Sequence, residues 1–403
     1  MTEDAAKSPT PPADPPGVSA RMAGIAPFHV MSILARARAL EAAGRDIVHM
    51  EIGEPDFATP APIVAAGQRA LAAGRTKYTP AAGLPALREA IAGYYLNRYG
   101  VDVAPERILI TPGASGALQL VLATLVNPGQ QVLMPDPSYP CNRHMVRLFD
   151  GEALSLPTRG SDGFTLSTDQ VAGAWGAQTR ALMLATPANP TGVCLSLDEL
   201  AAHYAMVRRL GGALIVDEIY QGLEYDRPSQ TALALGEQGL FVVNSFSKFF
   251  GMTGWRLGWA VAPRDWAPVL DRLAQNIFLA APTISQYAAL AAFDADSLAI
   301  MEQQRQVLAR RRDLLLAAVQ ELGFKVAGHP AGAFYLYADC SALTEDSAGL
   351  AADLLEYAGV AVTPGLDFGT TEAGSYLRFA YTTDETRLTE GVARIAAFLK
   401  AGG

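Results

Sequence analysis

Six short β-branched or apolar runs between Pro105 and Val261 constrain this chain more than any other feature of its sequence. They are Arg107 to Thr111, Gln131 to Met134, Ala181 to Ala185, Ala213 to Val216, Leu240 to Asn244 and Gly258 to Val261, with helix-like stretches between them. Such alternation builds a parallel or mostly parallel sheet flanked by helices, an α/β fold. Strands covered on both faces read as unbroken apolar runs, as Leu214-Ile215-Val216 does before Asp217. Polar residues just past their carboxyl ends are then candidates for a site in the crevice there. After Pro282 the texture changes. A long helical region rich in Gln, Arg and Leu runs from Ser285 to Leu322, followed by short strands near Phe324, Gly332 to Ala338 and Tyr376 to Ala380, and a closing helix from Asp384 to Leu399. This reads as a second, smaller α+β domain, and no repeat period is visible.

Composition excludes several function classes. At 403 residues, with 18% charged and half hydrophobic residues, the chain has enough length to bury a large core in two packed domains. Its 31 Lys and Arg against 40 Asp and Glu leave a net charge of -9, so no excess positive field is present to hold a nucleic acid. Three cysteines spread along the chain do not make a disulfide-stapled secreted module. Cys141, Cys194 and Cys340 read as inert buried thiols. Residues 1–19 carry Pro9, Pro11, Pro12, Pro15 and Pro16 without an apolar face, and read as a disordered tail rather than a secretory signal. With no apolar run of about 18 residues to span a bilayer, neither nucleic acid nor membrane is expected as a partner, and the expected location is the cytoplasm.

Three familiar chemistries fall away. Leu214 to Glu218 looks like the metal-binding strand of a P-loop nucleotidase, but no Gly-Lys-Ser or Gly-Lys-Thr occurs to cradle the phosphates. Gly113-Ala114-Ser115-Gly116 approaches the turn of a serine hydrolase, which needs glycine two residues after the serine, where Ala117 stands. There is no Gly-x-Gly-x-x-Gly fingerprint, and the histidines and cysteines have no zinc spacing, so no metal is expected.

What remains is a constellation at the strand ends. In Ser245 to Gly258, Lys248 follows a strand, sits among small hydroxyl residues and precedes a glycine-rich turn and Arg256. That suits an amine that forms an imine beside a phosphate, because partial burial near a cation lowers its pKa towards the nucleophilic form. Arg256 offers a fixed fork of donors to a phosphate, and Ser245 a hydroxyl. Asp217 can pair with a ring nitrogen and keep it protonated, while Asn189 and Tyr220 can hydrogen-bond a phenolic ring oxygen. Thr111 to Leu118 runs from a strand into an apolar helix, whose free N–H groups, with the Ser115 hydroxyl, make an anion site. Singly, each feature has an ordinary reading as a surface lysine, a turn, a helix cap or a helix start.

Together, five motifs resemble the fold-type I aminotransferases of class I and II, a family that uses pyridoxal 5'-phosphate. They are Ile52 to Asp56, Thr111 to Leu118, Pro187 to Gly192, Asp217 to Tyr220 and Ser245 to Gly258, in family order, within a likeness from about Met22 to Leu399. The resemblance implies an aspartate-aminotransferase-like large domain with a mostly parallel seven-stranded-type sheet, beside a smaller α+β domain. It implies an N-terminal arm and part of the small domain over 20–60, a cofactor-binding domain over 61–284 and a small C-terminal domain over 285–403. Position by position, Lys248 matches the lysine that carries the cofactor as an imine, Asp217 the partner of the pyridine nitrogen, and Asn189 and Tyr220 the ring-oxygen donors. Tyr139 matches the aromatic that stacks on the ring, and Gly113, Ala114, Ser115, Ser245 and Arg256 the phosphate cup. Ala114 departs from the pattern, since only its backbone can serve. Arg378 matches the arginine that forks onto the substrate α-carboxylate, with Gly53 closing over it.

The implied reaction moves the α-amino group of an L-amino acid to a 2-oxo acid, with Lys248 as general base. A homodimer with shared sites is expected, Tyr78 reaching the cofactor phosphate of the other subunit. The resemblance implies that dicarboxylate specialists add a second cation for a distal carboxylate, and the matching stretch Asn276 to Thr283 has none, so neutral or aromatic donors are expected over aspartate. Ile25, Phe28, Ile33, Phe334 and Tyr335 are candidates for the distal pocket. A same-fold lyase, such as a carbon–sulfur β-lyase, would share every cofactor contact. A ligand-sensing regulator would need a basic DNA-binding domain before Met22, where only the proline-rich tail stands.

Overall fold

The computed structural model describes residues 17–25, 27 and 29–402. Most of the stretch read as a tail, and Phe28, therefore lie outside the described residues. A helix over His29–Ala42 leads into the short strand β1 (Val48–His49). The large sheet follows with β2 (Ile108–Thr111), β3 (Gln131–Asp136), β4 (Glu152–Pro157), β5 (Thr179–Ala185), β6 (Ala213–Asp217), β7 (Leu240–Ser245) and β8 (Gly258–Val261). Its spatial order is β2-β8-β7-β6-β5-β3-β4, parallel throughout except for β8, which runs against both neighbours. This is the expected mostly parallel seven-stranded sheet.

Alternate residues of each central strand face opposite cores. Leu214 and Val216 of β6 pack in one cluster with Leu182, Leu184, Leu240 and Val242; Ala213 and Ile215 pack in another with Met183, Phe241 and Val243. Helices cover both faces, which is why the middle residues of these strands are apolar on both sides and their polar residues fall at the ends. The edge strand β4 was missed as an individual element. Its residues Glu152-Ala153-Leu154-Ser155-Leu156-Pro157 are mostly exposed, so they carry no continuous apolar run.

Past β8 the long helical stretch is two helices, Thr283–Leu290 and Ala295–Glu321, separated by a single turn over Ala291–Phe293. Strands β9 (Lys325–Val326), β10 (Tyr335–Asp339), β11 (Val360–Ala361), β12 (Thr363–Pro364) and β13 (Tyr376–Ala380) come next. An antiparallel sheet of order β12-β13-β10-β9 forms from four of them, and β11 pairs in parallel with β1 from the other end of the chain. Asp384 caps the closing helix Glu385–Lys400, its carboxylate accepting from the Arg387 amide at 3.0 Å. Of the cysteines only Cys340 is buried; Cys141 and Cys194 are half-buried, although burial pushes both thiols up, Cys194 to about 12.

The ends of β2 and β7 meet on Gly258, which pairs with Thr111 on one side and Ser245 on the other. A Cβ there would stand 2.6 Å from the Gly113 carbonyl carbon, 2.7 Å from the Ala114 nitrogen and 2.8 Å from the Asn244 oxygen. All three are backbone atoms and cannot swing aside. Gly258→Ala should therefore cost about 1–3 kcal/mol of stability, the usual range for overpacking, read as a lower urea midpoint. An unchanged midpoint would show that this corner yields more easily than its geometry implies.

Candidate active site

The carboxyl edge of the large sheet and the middle of β13 line a cavity of about 280 Å³. One end is built to hold an anion. The helix Gly113–Leu125 begins directly after β2, so its first amides point into the cavity with the positive end of the helix dipole behind them. Arg256, in the left-handed conformation at φ 53°, lies against that turn: a Cβ on Gly113 would be 2.7 Å from its guanidinium nitrogen Nη2. Its Nη1 donates to the Thr253 carbonyl at 3.0 Å and reaches the Ser247 hydroxyl at 3.5 Å. The Ser245 hydroxyl bonds Ser247 Oγ at 2.9 Å and the Leu257 carbonyl at 3.1 Å. Ser247 thus joins the basic end, although the sequence motif pointed to Ser245 alone.

In the middle stand groups with opposed pKa shifts. Lys248 Nζ donates to the Gly53 carbonyl at 2.6 Å. Burial pushes its amine down to about 8; Glu54 opposes the shift, while Arg378 and Arg256 add to it. Asp217, at the carboxyl end of β6, is pushed up to about 6 by burial, and a hydrogen bond from the Ile219 amide partly offsets this. Among the described residues it has no cation within ion-pair distance. A buried carboxyl with that need fits a protonated ring nitrogen. Tyr220 shares a hydrogen bond with Tyr335 at 3.0 Å, and Tyr139 lines the same cavity, its phenol pushed up by burial. The anion cup, Asp217 and Lys248 together match the needs of a phosphorylated pyridine aldehyde.

At the far end Arg378 is 2% exposed. Its Nη1 donates to Asn189 Oδ1 at 3.0 Å and its Nη2 to the Glu51 carbonyl at 2.5 Å and Thr363 Oγ1 at 3.4 Å, while Nε has no partner. The rings of Tyr335 and Phe368 lie 4.2 and 4.7 Å from its Cζ. Gly53 must be glycine here, because a Cβ would stand 2.0 Å from the Tyr335 hydroxyl.

Twelve of the thirteen site residues expected from the sequence, Gly53, Gly113, Ala114, Ser115, Tyr139, Asn189, Asp217, Tyr220, Ser245, Lys248, Arg256 and Arg378, lie around this one cavity, most of them in its wall. Tyr78 does not: within the single chain it is 83% exposed and away from the cavity. The distal-pocket candidates need correction. Ile33 packs the other way, with Ala37, Leu40 and Ile47. Ile25 does not line the cavity, and Phe334 lies beneath Lys248, 5.6 Å from its Nζ. Tyr335 does line the cavity, with its hydroxyl on Tyr220 and its ring against the Arg378 guanidinium. The large apolar residues of the wall are instead Val30, Met31 and Leu34 of the N-terminal helix, with Ile52, Leu118, Met145 and Ile219. The i, i+1, i+4 spacing of Val30, Met31 and Leu34 marks a second helical face that could have been read from the sequence. A second cavity of about 380 Å³ shares Glu54, Ser247, Lys248 and Thr253 with the first. Among the described residues no cluster of His, Cys, Asp or Glu is arranged to hold a metal, and no helix is long and apolar enough to cross a membrane.

Residues 45–395 match the family described as Aminotransferase class I and II. The chain is 35% identical to a valine–pyruvate aminotransferase of Mycobacterium tuberculosis over 94% of its own length and 97% of the relative's. It is likewise 35% identical to an aspartate/prephenate aminotransferase of Thermus thermophilus over 95% and 99%. The crystal structure of an aminotransferase from Mycobacterium tuberculosis superposes with a TM-score of 0.92 at 35% identity, covering 96% of this chain and all of that one. The chain therefore belongs to the class I and II aminotransferases, a family of pyridoxal-phosphate enzymes, and has their fold-type I architecture.

Proposed function

We propose that this enzyme moves the α-amino group of a neutral or aromatic L-amino acid to a 2-oxo acid, using pyridoxal 5'-phosphate held through Lys248. The observation that carries this reading is the placement of a buried Lys248 amine between the Arg256 anion cup, the Asp217 carboxyl and the Arg378 guanidinium, all in one cavity. When bound, the cofactor supplies an electron sink for the carbanion left by removal of the α-proton. The helix amides from Gly113 to Ser115, Ser245, Ser247 and Arg256 hold its phosphate. Asp217, ionised at neutral pH, holds the ring-nitrogen proton. Asn189 keeps its amide N–H groups for the ring oxygen because its Oδ1 is taken by Arg378, and Tyr220 is oriented for the same oxygen by Tyr335. Arg378 takes the substrate carboxylate, and Lys248 Nζ, aimed by the Gly53 carbonyl, takes the α-proton.

The names of the relatives span valine and aspartate donors, so the donor reading rests on this cavity. Among the described residues its only cationic wall residues are Lys248, Arg256 and Arg378, each already engaged, and much of the remaining wall is apolar. A distal carboxylate there would be half-desolvated without a partner. Three unpaired thiols among the described residues suit the reducing cytoplasm. The exposure of Tyr78 in the single chain supports a homodimer in which it serves the partner's site.

In a panel of donors against pyruvate and 2-oxoglutarate, kcat/KM for aspartate should fall roughly tenfold or more below that for leucine or phenylalanine. Aspartate as the best donor would reject the donor assignment, and release of ammonia in place of stoichiometric amino transfer would point to a lyase.

Lys248→Ala should keep the fold and lose transamination by several orders of magnitude; normal turnover would remove Lys248 from the mechanism. In the wild-type apo chain, capture of pyridoxal phosphate, followed by absorbance, should rise with pH through a midpoint near 8. Arg378→Gln removes a cation that disfavours the protonated amine, so its midpoint should move up. A wild-type midpoint near the ordinary 10.5 would contradict the burial argument.

Tyr78→Phe should weaken cofactor binding by about 1.5–3 kcal/mol, the value of a charge-assisted hydrogen bond. Unchanged affinity would reject that bond, and an active monomer in sedimentation would reject the shared site.

A further inference from the structure

The helix His29–Ala42 supplies Val30, Met31 and Leu34 to the distal wall, yet it is pinned from the far end of the sequence. Asp367 Oδ1 accepts from the His29 amide at 3.1 Å and Oδ2 from the Val30 amide at 3.3 Å. These are first-turn amides with no partner inside the helix. Asp367 is 2% exposed and makes no ion pair among the described residues, and burial pushes its carboxyl up while the two amide bonds oppose. A carboxylate is not buried at this cost merely to cover surface.

The same turn touches the rest of the site. The Asp367 carbonyl accepts from Arg143 Nη2 at 2.9 Å, and the Phe368 carbonyl from the Ser138 amide at 2.9 Å, next to Tyr139. The Phe368 ring packs on the Arg378 guanidinium. Two adjacent residues thus contact both the helix that walls the distal end and the arginine placed at the carboxylate end.

We infer that Asp367 is a specificity-determining positioning residue: by holding the first turn of the N-terminal helix in register with Phe368 and Arg378, it keeps the apolar wall at side-chain distance from a substrate whose carboxylate is on Arg378. This rests on the reading that the distal end receives an apolar side chain. A long side chain reaches the wall and depends on its register, whereas the methyl group of alanine does not.

The test uses the full-length holoenzyme with Asp367→Ala and Asp367→Asn, L-alanine and L-phenylalanine as donors, and amide hydrogen exchange over residues 29–34. Losing the cap should raise KM for phenylalanine roughly ten- to thirtyfold in Asp367→Ala. Alanine kinetics and kcat should change little, and exchange in the first turn should speed up. Asp367→Asn keeps one acceptor oxygen in the same shape and should lie between, so the inference stands or falls on it if the alanine variant does not fold. Met31→Ala, at an exposed position of the wall, should reproduce the phenylalanine-selective KM rise with exchange unchanged. Unchanged exchange in Asp367→Asn, or equal losses on both donors, would overturn the inference while the donor reading stands. A wild-type enzyme with no preference for phenylalanine over alanine would instead overturn the reading beneath it, and the specificity role with it.

Discussion

A guanidinium buried between two sheets must draw its partners from both, and Arg378 does so. Asn189, from the loop after β5, bonds one of its nitrogens; the Glu51 carbonyl, just after β1, and Thr363 of β12 bond another. The aromatic rings of Tyr335 and Phe368 cover its flat surfaces. Burying a charge without a counter-ion is costly, and no carboxylate of the described residues stands within ion-pair distance. The arrangement is therefore stable only where several rigid elements converge on it, and even so its buried Nε has no hydrogen-bond partner. The positions of Asn189 and Tyr335 are tied to this one side chain, and Tyr335 in turn leaves room only for a glycine at 53.

The same low-dielectric setting explains the neighbouring groups. Desolvation disfavours whichever form is charged, so it pushes the Lys248 amine down and the Asp217 carboxyl up. Nearby Arg378 and Arg256 reinforce the shift on the lysine. A single physical cause thus prepares one group to act as a nucleophile and base, and leaves the other in need of a cationic partner. The helix dipole at Gly113 and the Arg256 guanidinium do the converse at the other end, gathering positive potential where a phosphate would sit.

Several particulars show where sequence reading worked and where it stopped. Lys248, Asp217 and Asn189 were legible because each stands at, or within four residues past, the carboxyl end of a parallel strand, and those ends share one edge of the sheet; Arg256 reaches the same edge just before the antiparallel β8. Strand β4 was not legible as a strand because an edge position lets half of its residues face water. Ile33 was misplaced because the helix His29–Ala42 has two apolar faces, and only packing against Ile47 and Ala361 decides which one turns inward. Tyr335 was expected in the pocket and lines it, but nothing along the chain tells that β10 brings its hydroxyl to Tyr220.

The sequence by itself determined the alternation that makes a mostly parallel sheet, the order of five motifs and the residue types able to hold a phosphate, a ring nitrogen and a carboxylate. Those are local properties, set by backbone propensity, burial of apolar runs and side-chain chemistry. Only the tertiary structure decided that Glu51 and Thr363 would hold Arg378 and that Asp367 would cap a helix 338 residues earlier. These pairings join segments far apart in the chain. Their geometry depends on how two sheets and a terminal helix settle around a shared buried charge, and no local pattern encodes that.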